Sequence, residues 1–276
     1  MKEEKVKKVV RDRYAKVAKN EGSSCGCAPS TSCCSAPSDE QVSKMIGYSE
    51  VEMNAVPEGA NLGLGCGNPT ALASLKEGER VLDLGSGGGF DCFLAAKKVG
   101  KTGRVIGVDM TPEMLDKARA NAKKGNYENV EFRLGEIENL PVADSSIDVI
   151  ISNCVINLAP NKKRVFEEAF RVLAPNGRLM VSDIVLLKPL PEEIQKSAEA
   201  YTSCVAGAEI KDKYLDLMRD AGFKDVKVLG EKNYPLDFIL SEPEVKEAVS
   251  NLKLTRREVN ETANSIVSIN VSASKK

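Results

Sequence analysis

One stretch constrains this chain more than any other. Asp83-Leu84-Gly85-Ser86-Gly87-Gly88-Gly89-Phe90-Asp91 lies between the apolar Val81-Leu82 and the run Phe93-Leu94-Ala95-Ala96. The order reads as strand, glycine loop, helix. Glycine admits backbone conformations closed to other residues and lets a ligand approach the N–H groups of the loop. A second apolar strand, Arg104-Val105-Ile106-Gly107-Val108, ends at Asp109. An acid at that point can take both hydroxyls of a ribose. The pattern suits a nucleotide-like ligand but not a dinucleotide. Glycines stand at 85, 87 and 89, whereas G-x-G-x-x-G needs glycine at 90, which is Phe90.

The loop opens with an acid, Asp83, and in this it resembles the cofactor loop of class I S-adenosylmethionine methyltransferases. The resemblance implies S-adenosylmethionine as cofactor, cradled by Asp83, Gly85, Gly87 and Gly89, with Asp109 on the ribose. It implies further contacts in chain order. Met110 would lie against the adenine face, with a core methionine as the alternative. Glu136 would meet the adenine edge, with Ile137 packed on the ring. Asn153 closes the fourth expected strand at its carboxyl end, where ligands bind in open sheets, and would meet the methionine part of the cofactor.

The rest of the chain repeats the alternation. Strands are expected at 80–84, 104–109, 130–134, 148–154, 178–185, 225–229 and 265–273, and helices at 90–98, 111–124, 161–173 and 211–221. Thr111 suits an N-cap and Pro112 the first helical position. Asn176-Gly177 marks the turn into the fifth strand, and Ser241 to Glu244 caps one more helix. This predicts an α/β fold, a doubly wound, mostly parallel, Rossmann-like sheet of seven strands with a closing antiparallel strand, as in class I methyltransferases. Three parts are expected: an N-terminal extension over 1–75, the cofactor-binding core over 76–185, and 186–276 with an insertion and the last strands. The stretch 186–210 is longer than a crossover needs and reads as a substrate-covering insertion. Within the extension, Val6, Val10, Tyr14 and Val17 share one face of a helix expected to dock at the domain edge. Residues 21–37 are rich in Gly, Ser, Pro and Cys and read as a flexible segment. Ser38 and Gln41 then form a capping box for a short helix ending at Gly47.

Composition narrows the chemistry. With 276 residues, 42% hydrophobic and 29% charged, the chain can build a packed core. A net charge of −1 gives no electrostatic case for nucleic acid or an anionic membrane. The charged start, Met1 to Lys8, lacks an apolar signal core, and no apolar run is long enough to span a bilayer, so a cytoplasmic protein is expected. The chain contains no His, which removes Ser-His and Cys-His pairs and every His-ligated metal site. A reaction that needs no strong base gains weight. Eight cysteines, at 25, 27, 33, 34, 66, 92, 154 and 204, are expected to be reduced and to serve metal binding, redox work or burial.

Three thiols stand out. Cys66 sits in the second glycine-rich loop, Gly59 to Pro69, where glycine on either side leaves it accessible; an incidental small residue in a tight loop is the alternative. Cys154, in Ser152-Asn153-Cys154-Val155-Ile156-Asn157, ends the fourth strand on the ligand side, with a buried structural cysteine as the alternative. Cys204 falls in the insertion, and Cys92 reads as core. The Cys66 loop, the 152–158 stretch and Ser203-Cys204 resemble the arsenite S-adenosylmethionine methyltransferases. That resemblance implies trivalent arsenic held by Cys66, Cys154 and Cys204. It also implies an N-terminal cysteine, Cys33 or Cys34, exchanging disulfides with Cys66, and thioredoxin or glutathione as reductant. Trivalent arsenic is soft and prefers thiolates, and its lone pair is the nucleophile, so a chain without His can run the transfer. Two other functions stay open. A quinone-like carbon methyltransferase would use Tyr201 or Glu209 as base. A thiol-rich metalloid-binding sensor would hold the cofactor without turnover, and Cys25, Cys27, Cys33 and Cys34 by themselves could clasp zinc or another soft metal.

Overall fold

A computed structural model describes residues 3–19, 38–195, 201–233 and 256–276. The strands are β1 (Arg80–Leu84), β2 (Arg104–Asp109), β3 (Val130–Leu134), β4 (Ile147–Asn153), β5 (Leu173–Leu186), β6 (Lys224–Asn233) and β7 (Ile266–Ser274). They form one seven-stranded sheet in the order β3-β2-β1-β4-β5-β7-β6. Strands β1 to β5 pair in parallel, and β7 lies antiparallel to both β5 and β6. The order reverses between β1 and β4, which opens a crevice at the carboxyl ends of these strands.

The expected α/β sheet is present, and its strands read as apolar runs because both faces are covered. On one face Leu82, Leu84, Ile150 and Val181 pack with Phe166, Tyr214 and Phe223. On the other, Val81, Val105, Val149 and Ile151 pack with Cys92, Phe93 and Leu115. Cys92 is therefore a core thiol, as expected, and donates to Asp83 Oδ2 at 3.2 Å. Strand β7 fills the sheet interior because Ile266, Val267, Ile269, Val271 and Ala273 are all buried, which leaves the more exposed β6 at the edge.

Several boundaries differ from expectation for local reasons. Strand β4 stops at Asn153, because Cys154 adopts φ 59° and turns the chain out of the ladder. Strand β5 begins at Leu173, which pairs with Ile147, and Asn176, at φ 64°, kinks the strand rather than preceding it. Thr111 occupies the N-cap of α6 (Pro112–Lys124), but its side chain makes no capping bond to the helix; its N–H is instead taken by Asp109 Oδ1 at 2.8 Å. The Ser38–Gln41 capping box is present, and Gly47 ends that helix, α2 (Asp39–Ile46), in the left-handed region at φ 112°; two short helices, α3 (Glu50–Asn54) and α4 (Pro69–Leu72), follow before β1. The helix expected near Ser241 and Glu244 lies outside the described residues. No helix among the described residues is long and apolar enough to cross a membrane.

The first helix, α1 (Glu3–Ala18), does not sit at the domain edge. Its Val6 and Val10 are buried among Cys66, Cys154 and Cys204, with Tyr14 packed against the same group. Lys7 reaches Glu136 at 2.6 Å and Glu138 at 3.5 Å, in the loop after β3. The apolar face of the helix needed a buried partner, and the carboxyl edge of the sheet supplies it.

Opposite that edge, Glu168 on α7 (Lys162–Val172) is 1% exposed and accepts from Arg171 at 2.7 Å, Arg164 at 3.0 Å and the N–H of Leu140 at 2.8 Å. Arg171 hydrogen-bonding holds its carboxyl below the usual range. Glu168→Ala strands a Leu140 N–H and two guanidinium groups that stay partly in water, so it should cost about 2 kcal/mol, less than a fully buried pair. Because the folded-state pKa is depressed, this contribution is present above the unfolded carboxylate pKa and disappears as pH falls through the folded value. Urea unfolding of both proteins at neutral and acid pH checks this: the difference should shrink in acid.

Candidate active site

The glycine loop is shaped by collisions that any side chain would cause. Gly85 has φ 69°, and a Cβ there would stand 2.4 Å from Val155 Cγ2. Gly89, at φ 92°, starts α5 (Phe90–Val99). Gly87, at φ 50°, faces open space, so a ligand can lie on its backbone. Asp109 fixes the loop by accepting the N–H of Gly87 at 3.0 Å.

This loop borders a cleft of about 510 Å³, lined also by Asn61, Met110, Ile137, Val155 and side chains of α1. Two buried polar atoms on its wall have no hydrogen-bond partner among the described residues: Ser86 Oγ and Asn61 Nδ2. Three acids surround the loop. Burial raises Asp83 well above the ordinary carboxylate range, Asp91 to about 6, and Asp109 above its usual value. Such a cluster favours a ligand that brings positive charge and hydroxyl donors. S-adenosylmethionine fits: its sulfonium and ammonium groups are cationic, and its carboxylate and ribose can use the orphaned donors and Asp109.

Two expected contacts stand differently in the structure. Glu136 turns away from the cleft to Lys7, and Glu138, two residues on, is the acid that lines the cleft. Glu136 and Asn139 bridge across a tight turn, so Ile137 and Glu138 are its two central residues, and these line the cleft. Asn153 lines the cleft, but its amide is also a structural hub. It accepts the N–H of Cys66 at 3.0 Å and donates to Tyr48 Oη and to the carbonyl of Gly67, both at 2.9 Å, and to Asp91 at 3.3 Å.

That hub seats the Cys66 loop over the sheet edge. A Cβ on Gly65 would lie 2.7 Å from the Asn153 amide, and one on Gly67 would lie 2.7 Å from Ser182. Ser268 Oγ of β7 donates to the Cys66 carbonyl at 2.7 Å. The Cys154 N–H donates to the Ser182 carbonyl at 2.8 Å. Cys204 Sγ donates to the Cys154 carbonyl at 2.9 Å. Cys154 and Cys204 both have left-handed backbones, φ 59° and 64°, each costing on the order of 1 kcal/mol.

The Cys66 and Cys154 sulfurs lie within 4.8 Å of each other, and Cys204 stands beside Cys154 with its sulfur outside that group; all three are free and buried. Cys154 stands between the other two thiols, both of which act on its titration, and Tyr14 packs against the same cluster. Burial pushes the Cys66 thiol up. For Cys204 the bond to Cys154 and then burial do the same. For Cys154 the bond to Cys204 pulls down, but Cys66 and burial together outweigh it. All three are therefore neutral thiols near neutral pH. Cys25, Cys27, Cys33 and Cys34 lie outside the described residues.

Three members of the site escaped the sequence reading. Asp183 puts a carboxylate oxygen within 4.8 Å of the Cys66 and Cys154 sulfurs. An acid in the apolar run Leu179–Leu186 was the available signal. Tyr48 donates to Asp91 at 2.7 Å and stacks edge-on to Phe90 at 4.7 Å, and no local pattern announces it. Glu138 carried the same signal as Glu136.

Comparison with known proteins agrees with this geometry. The family described as Methyltransferase domain matches residues 75–222. The chain is 49% identical over 241 residues to the arsenite methyltransferase of Halobacterium salinarum, covering 86% of this chain and 61% of that protein. It is 38% identical over 230 residues to the arsenite methyltransferase of Aquipseudomonas alcaligenes, covering 81% and 63%. The crystal structure of CrArsM, an arsenic(III) S-adenosylmethionine methyltransferase from Chlamydomonas reinhardtii, superimposes with a TM-score of 0.62 at 34% identity, covering 86% of this chain and 74% of that one. The chain spans about three-fifths of the length of the curated relatives it matches. By its sheet order, its glycine loop and these similarities, the chain belongs to the class I S-adenosylmethionine methyltransferases, in the branch of the arsenite methyltransferases.

Proposed function

We propose that this protein transfers methyl groups from S-adenosylmethionine to trivalent arsenic held by Cys66, Cys154 and Cys204, a route to detoxification. The observation that carries the reading is the convergence of three buried thiols at the carboxyl edge of β4 and β5, with Cys154 next to Asn153 of the cofactor cleft.

Neutral thiols suit neutral arsenite. Each S–H exchanges with one As–OH and releases water, so three thiols bind As(OH)3 with no net proton release and no buried charge. Burying three thiolates instead would be costly. Asp83, Gly85, Gly87, Ser86 and Asp109 would hold the cofactor; when bound it supplies an electrophilic methyl group that the arsenic lone pair takes, raising arsenic formally to the pentavalent state. No side chain needs to remove a proton at this step. The contribution of the chain is alignment, which can supply roughly 7–11 kcal/mol. Helix α1 lies along the cleft, with Val10, Tyr14 and Val17 on its wall.

Return to trivalent arsenic takes two electrons. Two cysteines provide them when their S–H bonds give a disulfide and two protons, and an external thiol then reduces the disulfide. Cys66 with Cys33 or Cys34 is the proposed pair, and thioredoxin or glutathione in a reducing cytoplasm the proposed reductant. The two bases expected for carbon methylation are poorly placed for it. Burial pushes Tyr201 up to about 12, and Glu209 is paired with Lys213 at 2.9 Å.

The reduced protein with arsenite and S-adenosylmethionine should yield methylated arsenic by mass spectrometry. Cys154→Ser and Cys204→Ser should each abolish it while still binding cofactor, and Cys92→Ser should cost only stability. Normal turnover by Cys154→Ser sinks the reading. Alkylation and peptide mapping during turnover should trap a disulfide from Cys66 to Cys33 or Cys34; a fully reduced Cys66 throughout turnover excludes that pairing.

A further inference from the structure

Beside the thiols stands a group that arsenic chemistry does not call for. Asp183 is fully buried, and one of its oxygens, Cys66 Sγ and Cys154 Sγ lie within 4.8 Å of one another. The carboxylate is held from behind. Asn157 Nδ2 donates to Oδ1 at 2.8 Å, as does the Ile184 N–H at 2.9 Å, and the Tyr214 hydroxyl donates to Oδ2 at 2.9 Å. An oxygen that accepts one hydrogen bond keeps a lone pair for another partner. Cys204 is committed elsewhere, since its S–H points at the Cys154 carbonyl.

Two sulfurs and an oriented carboxylate oxygen make a donor set for a borderline divalent cation, not for a soft trivalent one. Tetrahedral zinc with sulfur at about 2.3 Å and oxygen at about 2.1 Å sets ligand atoms about 3.5–3.8 Å apart. The observed group, within 4.8 Å, reaches that by closing about 1.3 Å or less, within side-chain rotation. The bonds from Asn157 and Tyr214 are of the kind that orient metal-binding carboxylates.

We propose that Cys66, Cys154 and Asp183 form a zinc site that shares two sulfurs with the arsenic site, so that zinc and arsenite exclude each other. The inference rests on the proposed arsenic ligands only for the competition; zinc binding by the three residues stands by itself. Zinc displaces the two S–H protons and leaves a fourth position for water. Arsenite recruits Cys204 and has no use for Asp183.

The test uses the reduced full chain and zinc alone, with affinity read by competition against a chromogenic chelator. Zinc should bind, and arsenite should displace it. Asp183→Asn should weaken zinc by about tenfold or more, a typical loss when a metal site is perturbed, with arsenite affinity retained. Every protein compared also carries Cys25→Ser, Cys27→Ser, Cys33→Ser and Cys34→Ser, so that zinc held by those thiols does not enter the comparison. Unchanged zinc affinity in Asp183→Asn, or zinc that arsenite leaves in place, overturns the proposal. If Asp183→Asn fails to fold, Tyr214→Phe carries the test: weakened zinc with arsenite affinity kept supports the site, and unchanged zinc overturns it. Because zinc affinity is read without cofactor, a failure of arsenite methylation remains a separate result.

Discussion

The amide of Asn153 holds the two halves of the site in one frame. It ends β4, and its four hydrogen bonds tie the Cys66 loop to Tyr48 and to Asp91 at the start of α5. The loop carrying one thiol and the loop shaped for the cofactor are thereby pinned to the same strand end. Cys154 follows as the next residue, so a second thiol is placed by the same turn. Gly65 is required there because any Cβ would collide with that amide. A shift of this one side chain would move donor and acceptor sites relative to each other, which is what transfer chemistry tolerates least.

Around this hub the charges and the apolar groups are sorted. The cofactor side gathers Asp83, Asp91 and Asp109, whose raised pKa values report a shortage of positive charge that a cationic ligand relieves. The thiol side is apolar, with Val10, Leu158, Ile184 and Ile266 around the sulfurs, and there burial keeps the thiols protonated. Asp183 is the exception, a carboxyl raised to about 7 by burial despite the hydrogen bonds of Tyr214 and Ile184. Helix α1 closes both sides at once, with Lys7 clasped to the loop after β3 and Tyr14 on Cys204.

The parts of this arrangement that were legible in advance are those written in near neighbours. The strand, loop and helix around Gly85 to Gly89, the Asp109 position and the Ser38–Gln41 cap each depend on residues a few places apart, and each is where it was expected. Met110 and Ile137 line the cleft, as does Glu138, while Glu136 pairs with Lys7 at the start of the turn that holds residues 137 and 138. Helix α1 was legible as amphipathic but not as a cover, since a buried face does not name its partner.

The sequence by itself determined the doubly wound sheet and the cofactor loop, because periodicity and glycine spacing act through local backbone sterics; it pointed to Cys66, Cys154 and Cys204 only through a family resemblance. Only the tertiary structure decided that β7 runs inside β6, that Cys66 hangs from Asn153, and that Asp183 stands beside two sulfurs. Those contacts join residues far apart in the chain, such as Ser268 and Cys66, 202 positions apart. They exist only once the sheet has brought the strand ends to one edge, and no local pattern records where a distant partner will be.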